Sequence, residues 1–419
     1  MTTQATTTAN LYDVLSQRGL VSQTTDEKIR ERLSKPVTCY IGFDPTADSL
    51  HVGSMVPIMV LAHAQRCGHR PIAVVGGGTG LVGDPSGKTE SRRMLTLDDI
   101  NHNATCIGKQ IASIVQFNDS PTGAVMVNNA DWLTKLSWVE LLRDYGPHFS
   151  VNRMLTMDSV KSRIDSESGL TFLEFNYMVM QAIDFVHLYK SHNCTVQMGG
   201  QDQWGNIVMG IELGRRIAGA DLAGLTMPLV TKSDGGKFGK SESGNIWLDP
   251  KRTSPYDFYQ FWRNTPDVDV KRYLGFFTFL PIDEVNRLGA MEGQEANVAK
   301  EILAYEVTKL IHGEAEATAA RDSAKKAFGD AQDVTGEAIP HADLSASELS
   351  AGIGIVQLLV KVDLAKSNGE AKRLVQGGGV KLHDSAVTDI ARQVNADDVR
   401  DGYVLVRAGK KRLFRFDVK

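Results

Sequence analysis

From Pro36 to Val230 the sequence keeps switching between two periods, and that alternation restricts the fold more than any other feature. The runs VTCYIGF, PIAVVGG, AVMVNN and CTVQMGG are short, apolar and often β-branched, as buried strands are. SMVPIMVLAHAQRCG, IGKQIASIVQFN, LSWVELLRDYG and GIELGRRIAG, which follow them in turn, repeat apolar residues three and four apart, the spacing of one helix face. Strand, helix, strand in repetition predicts an α/β fold, a Rossmann-like parallel sheet covered on both faces. Such sheets take ligands beyond the carboxyl ends of their strands.

With 419 residues the chain has room for two or three domains. The Rossmann-like domain is expected over residues 1–250. Residues 251–330 turn helical, as in YDFYQFWRN and EANVAKEILAYEVTKLIHG, and predict an α-helical domain. Residues 331–352 are poor in large apolar side chains and read as a linker. A small α+β module is expected over 353–419. There Ser367 to Glu370 forms a capping-box sequence before EAKRLVQ, and VKLHD and GYVLVRAGKKRLFRF read as strands. This tail is basic: residues 361–419 carry 13 Lys/Arg against 8 Asp/Glu, so a chain of net charge −4 has −9 on residues 1–360. A basic module on an acidic body suits a polyanion bound at the tail; an ordinary solvated surface gives the same count.

Composition also excludes. No apolar run reaches the roughly eighteen residues of a membrane span, so no membrane partner is expected. The start, MTTQATTTAN, is polar and predicts no secretory signal. Cys39, Cys67, Cys106 and Cys194 are widely separated, which predicts buried reduced thiols, no protein-bound zinc and a cytoplasmic protein.

The stretch VVGGGTGLVGDPSGKT, Val74 to Thr89, imitates two phosphate-binding loops and fits neither. Gly78, Gly80 and Gly83 match a dinucleotide fingerprint, but Asp84-Pro85 follows where a helix should run on. Gly83, Gly87, Lys88 and Thr89 resemble a Walker loop with one residue too few between its glycines. A ligand-free turn from strand to helix stays open on these residues alone. In YIGFDPTADSLHVGS, a strand runs into a turn and a helix begins near His51. His51, Gly53 and Ser54 then lie at a helix amino end, where free amides and the dipole favour an anion. In SDGGKFGKSESG, Lys237 and Lys240 sit among glycines and serines, either as phosphate-directed point charges or as a solvated hairpin tip. The helix FLEFNYMVMQAIDFVHLY is apolar nearly all round, yet Tyr177, Gln181 and Asp184 recur at i, i+4 and i+7. A polar stripe in a buried helix must be satisfied by an internal partner, by water or by a polar ligand.

Together these motifs resemble a known set. HVGS is similar to the HIGH signature of class I aminoacyl-tRNA synthetases, and KFGKS to their KMSKS signature. YIGFDPTADSLHVG, GGGTGLVGDPSGK, NYMVMQAIDF and MGGQDQWGN resemble bacterial tyrosyl-tRNA synthetases within that class, from about residue 11 to the end of the chain. Ser54 departs from the pattern, which usually ends in His. The resemblance implies that tyrosine is activated by ATP to tyrosyl-adenylate and then passed to tRNA(Tyr). It implies ATP as a substrate, Mg2+ with the phosphates, and a homodimer. Residues 1–250 would be the catalytic domain, 251–330 the anticodon-side domain, and 353–419 an RNA-binding domain. By the family pattern Tyr40 and Asp184 bond the phenol of L-tyrosine; Asp84, Tyr177 and Gln181 hold its ammonium, and Gln203 lies near its carboxylate. Gly42, Asp44, His51, Gly53, Ser54, Lys240 and Ser241 would bind ATP. Thr46, His51, Lys88, Arg92, Lys237 and Lys240 would stabilise the reacting phosphates. Lys372, Arg373, Lys410, Lys411 and Arg412 would meet tRNA phosphates.

Three rivals stay open on sequence: a tryptophan-specific enzyme of the same class, an RNA-binding regulator with a catalytically dead core, and a dinucleotide-dependent enzyme.

Overall fold

The structure is a computed structural model that describes residues 9–86, 95–166, 169–231, 233, 238–241, 244–328, 340–383, 385–409 and 412–419. The chain divides into two compact units: residues 1–253 with 261–311, and residues 254–260 with 312–419.

The first unit holds a six-stranded sheet. Its strands are β1 (Gln23–Thr24), β2 (Thr38–Phe43), β3 (Arg70–Val75), β4 (Val125–Asn128), β5 (Cys194–Gly200) and β6 (Ala223–Met227). They lie in the order β1-β6-β5-β2-β3-β4, and β2 to β6 are parallel to their neighbours. The short β1 closes one edge antiparallel to β6. The alternation in the sequence therefore gives the α/β parallel sheet it predicts. Helix α1 (Met55–Arg66) follows β2 and buries nine of its residues, matching its apolar run. Helix α2 (Leu97–Ala112) is capped by Thr96 and Asp99, so it begins ten residues before the apolar pattern IGKQIASIVQFN does. The expected single helix over 172–189 is interrupted. Phe172–Phe175 is one short turn, and α3 (Tyr177–His192) begins after Asn176. Asn193, in the left-handed conformation, ends α3, and α4 (Trp204–Ala218) ends at Gly219 in the same way.

The expected helical domain over 251–330 is not a body of its own. Residues 261–311 join the first unit. A physical cause is an aromatic cluster in which Phe238 lies 5.5 Å from Phe277, nearly parallel to it, and 5.9 Å from Trp262.

The second unit contains a five-stranded sheet of β7 (His341–Leu344), β8 (Val380–Leu382), β9 (Ser385–Val387), β10 (Tyr403–Ala408) and β11 (Arg412–Val418), in the order β9-β8-β10-β11-β7. The linker expected over 331–352 is corrected here from residue 341 onward. β7 pairs in parallel with β11, and Ser345 caps a helix over Ala346–Ala351. A short strand with a single buried leucine, Leu344, is held by its backbone ladder, which composition does not reveal. Ile355, Leu358, Leu359, Val375, Val404 and Phe416 belong to this unit's core. No helix among the described residues is long and apolar enough to cross a membrane.

Candidate active site

Chain order in the sheet reverses between β2 and β5: β3 and β4 extend it one way, β5 and β6 the other. At such a switch point the loops leaving adjacent strands run to opposite faces and leave a crevice. A cavity of about 310 Å³ opens there, lined by Tyr40 and Gly42 of β2 and by Gln197 of β5. Tyr40 and Gln197 are direct register partners across the two strands. A side chain at Gly42 would meet nothing within 4 Å, so glycine there leaves cavity space unfilled.

At one end of the cavity Tyr40 is 2% exposed, and its hydroxyl has no hydrogen-bond partner among the described residues. Its ring sits edge-on to Phe185, centroids 5.3 Å apart. Burial first, and then the Asp184 charge, push its phenol well above the ordinary value, so it stays a donor at neutral pH. Asp184, 3% exposed, accepts from Asn129 Nδ2 at 2.9 Å and from Trp132 Nε1 at 2.7 Å. Burial raises its carboxyl to about 7 against those two stabilising bonds. Among the described residues no cation pairs with it. The polar stripe on α3 is thus satisfied by neutral donors beside an open cavity.

The rest of the stripe is tied into a network. Tyr177 donates its hydroxyl to Asp44 Oδ2 at 3.0 Å, and Thr79 donates to Asp44 Oδ1 at 2.9 Å. Asn129 donates to Thr79 Oγ1 and accepts from the Gly78 amide, so one side chain holds both Asp184 and the glycine-rich turn. Asp84 accepts from Gln203 Nε2 at 2.7 Å and from the Ser86 amide. Asn206 bridges Gln203 and Gln181. The turn after β3 needs its glycines for closeness rather than for a dinucleotide. A Cβ on Gly76 would stand 2.2 Å from Asp44 Oδ1 and 2.4 Å from Thr79 Oγ1.

The two signature segments meet. His51 caps a short 3-10 turn over Val52–Ser54, its Nδ1 accepting from the Gly53 amide at 3.0 Å. That bond assigns the proton of the neutral ring to Nε2. The Gly239 carbonyl accepts from the Ile246 amide, the Ile246 carbonyl from Val52, and the Leu50 carbonyl from Leu248. Gly239 takes φ +78°, and a Cβ there would lie 2.9 Å from Val52 Cγ2. The backbone at Gly239 in the second signature therefore rests directly on the HVGS turn. Phe238, inserted in its aromatic cluster, anchors the same segment.

Tyr40, Gly42, Asp44, Gly53 and Ser54 line the cavity, as do Asp84, Tyr177, Gln181, Asp184 and Gln203. His51 and Thr46 do not; His51 lies against Gly53, and Thr46 is exposed in the turn after β2. Lys88, Arg92, Lys237, Lys410 and Lys411 lie outside the described residues. Lys240 and Ser241 are placed by their backbone, which pairs with Asn245 and Gly244. In the second unit Lys372 and Arg373 are exposed on the helix Asn368–Gln376, and half-buried Arg412 opens β11. Asn129, Trp132, Thr79 and Gln197 were not foreseen. Gln197 did leave a signal: it is a polar residue in the buried strand CTVQMGG, 2% exposed, with Oε1 unpartnered among the described residues.

Similarity to known proteins agrees with this geometry. Residues 32–329 match the family model of class I tRNA synthetases (W and Y), and residues 332–416 match the SYY-like C-terminal domain of tyrosine–tRNA ligase. The chain is 50% identical over 414 residues to the tyrosine–tRNA ligase of Clostridium botulinum strain Hall, covering 98% of this chain and 100% of that one. To the tyrosine–tRNA ligase of Clostridium kluyveri it is 49% identical over 413 residues, with the same coverage. Among solved structures, the C-terminally truncated mitochondrial tyrosyl-tRNA synthetase of Aspergillus nidulans superposes with a TM-score of 0.68 at 35% identity, covering 76% of this chain and 94% of that one. The chain belongs to the class I tRNA synthetases of the tryptophan and tyrosine type, and within them to the tyrosine–tRNA ligases.

Proposed function

We propose that the cavity between β2 and β5 is where this tyrosine–tRNA ligase joins tyrosine to ATP. The observation that carries the reading is the buried pair of Tyr40 hydroxyl and Asp184 carboxylate, facing a cavity beside the joined signature segments. A phenol donates to Asp184 and accepts from Tyr40; a phenyl ring would leave the Tyr40 hydroxyl buried without a partner and bring Asp184 no donor beyond Asn129 and Trp132. An indole N–H could satisfy Asp184 but would leave the Tyr40 donor without an acceptor.

In the first step the tyrosine carboxylate attacks the α-phosphorus of ATP. A carboxylate–phosphorus bond forms, and the bond to the departing pyrophosphate breaks. The nucleophile is ionised at neutral pH, so no general base is required, and the protein contributes position and charge stabilisation. Asp84, Tyr177 and Gln181 are assigned to the ammonium and Gln203 to the carboxylate. Gly42, Asp44, Gly53 and Ser54 are assigned to the nucleotide, with Ser241 and Lys240. The Nε2–H of His51 and the Thr46 hydroxyl serve the phosphates, and Lys88, Arg92, Lys237 and Lys240 serve the leaving pyrophosphate. Among the described residues no group of three His, Cys, Asp or Glu side chains stands ready to hold a metal ion. Mg2+ is assigned to the phosphates of the substrate, as the resemblance implies. In the second step a ribose hydroxyl of tRNA(Tyr) takes the tyrosyl group and AMP leaves; Lys372, Arg373, Lys410, Lys411 and Arg412 are assigned to tRNA phosphates.

A homodimer is supported by the exposed apolar residues between 138 and 173. Val139 is 69% and Phe172 68% exposed, and the Trp138 ring lies 5.9 Å from that of Phe172. We assign the protein to the cytoplasm, in keeping with its free cysteines.

The test is exchange of labelled pyrophosphate into ATP with each of the twenty amino acids. Exchange is expected with tyrosine; exchange driven by tryptophan, or by none, would contradict the reading.

A further inference from the structure

One side chain outside the cavity, Trp247, meets the signature histidine, and a chain of contacts runs back from it to Asp48. The His51 ring meets Trp247 edge to face, centroids 6.3 Å apart at 71°, and the two residues also form an antiparallel backbone bridge. Gly53 lies close against the same ring. A Cβ there would lie 2.7 Å from His51 Cε1, so the ring is packed down onto the glycine. Trp247 is fixed in its turn. Its amide donates to Thr253 Oγ1 at 2.9 Å, and the Arg252 guanidinium lies over its ring, 4.1 Å from the centroid. Arg252 is tethered at its other end to Asp48 at 3.0 Å. Asp48 stands just before the HVGS turn, and Arg252 stands just after the strand that leaves the KFGKS segment.

A half-exposed ion pair contributes little energy by itself. Its geometric effect here is larger than its strength. A cation held at one end by a carboxylate and lying over an indole restricts the indole, and the edge-to-face contact restricts the imidazole. The imidazole is also held through Nδ1 by the Gly53 amide bond. For a donor that must meet a phosphate oxygen at one point, a small rotation matters.

We propose that Trp247 is a positioning residue for His51, and that Asp48 and Arg252 hold Trp247 in place to that end. This rests on the reading of His51 as a phosphate-directed donor. The arrangement sets the rate of adenylate formation and leaves tyrosine recognition alone, because none of Asp48, Trp247 and Arg252 lines the tyrosine cavity.

The full chain tests it through the rate of tyrosine-dependent pyrophosphate exchange, with tyrosine affinity by equilibrium dialysis on the same preparations. Trp247→Leu is expected to lower kcat about five- to ten-fold with the tyrosine Kd unchanged within about two-fold. Trp247→Phe, which keeps a ring edge, is expected to recover most of that rate. In a His51→Ala background Trp247→Leu should cost less than about two-fold more, because the group it positions is gone. Should Trp247→Leu not fold, the same split between kcat and Kd is required of Arg252→Gln, with no further loss on adding Asp48→Asn. Equal rates for Trp247→Leu and the parent chain overturn the proposal, as do equal losses for Leu and Phe, a matching loss of tyrosine affinity, or undiminished loss in the His51→Ala background. A normal rate for His51→Ala alone overturns the reading of His51 beneath it, a separate outcome.

Discussion

Asp184 is ionisable, buried and yet close to half neutral near pH 7, because burial outweighs the bonds from Asn129 and Trp132. Its native pKa of about 7 lies above the ordinary 3.8, so between those values the folded chain holds a proton that the unfolded chain has released. Asp184 therefore contributes a fall in stability as pH rises from about 4 to about 7, and no further change above that. Asp184→Asn should remove this contribution: the difference in Tm between pH 5 and pH 8 is expected to shift toward pH 8 stability in the variant. Tyrosine binding follows the opposite sign. A phenol donating to the carboxylate favours the ionised form, so tyrosine Kd should tighten as pH rises through 7, with Tyr40, Tyr177 and Asp44 the neighbouring titratable groups. That dependence should vanish in Asp184→Asn. Removing the indole donor by Trp132→Phe is expected to weaken tyrosine about ten-fold, read as a rise in KM for tyrosine with KM for ATP unmoved.

The glycine turn and the strand ends show at element scale why some of the site could be read and some could not. Gly76→Ala forces a Cβ onto Asp44 and Thr79. It should break the relay from Tyr177 to Asn129, and a rise in KM for tyrosine of about ten-fold is the expected measurement. Alternating periods revealed the sheet and its helices, and the stripe on α3 revealed Tyr177, Gln181 and Asp184, because period and burial are local properties of sequence. Asn129 and Trp132 could not be seen that way. They follow β4, 55 and 52 residues before Asp184, and reach it only once the sheet order is known. The break at Asn176 was hidden by an unbroken apolar pattern, and the Thr96–Asp99 cap placed the start of α2 outside its apolar repeat. β7 fell inside an expected linker because its parallel ladder to β11 rests on backbone rather than on apolar side chains.

Across the whole molecule, activation and tRNA contact are assigned to different units. Because β7 belongs to the C-terminal sheet, a truncation that takes the whole of that sheet removes residues 340–419 rather than 353–419. The truncated chain should keep tyrosine-dependent pyrophosphate exchange within a few-fold and lose most tRNA charging. Loss of exchange would show that the activation step needs the module. The apolar surface around Phe172 gives a second prediction. On the proposal that this surface pairs two copies, Phe172→Asp is expected to give a monomer in sedimentation velocity where the parent chain gives a dimer, because a charge is costly to desolvate in such an interface.

The most direct test of the paired phenol site is the ratio of kcat/KM for tyrosine to that for phenylalanine in pyrophosphate exchange, compared among the parent chain, Tyr40→Phe and Asp184→Asn. Removing either buried partner should lower the ratio by at least about ten-fold, chiefly through tyrosine. A ratio unchanged in both variants would mean that the phenol is read elsewhere, and the site described here would not be the tyrosine pocket.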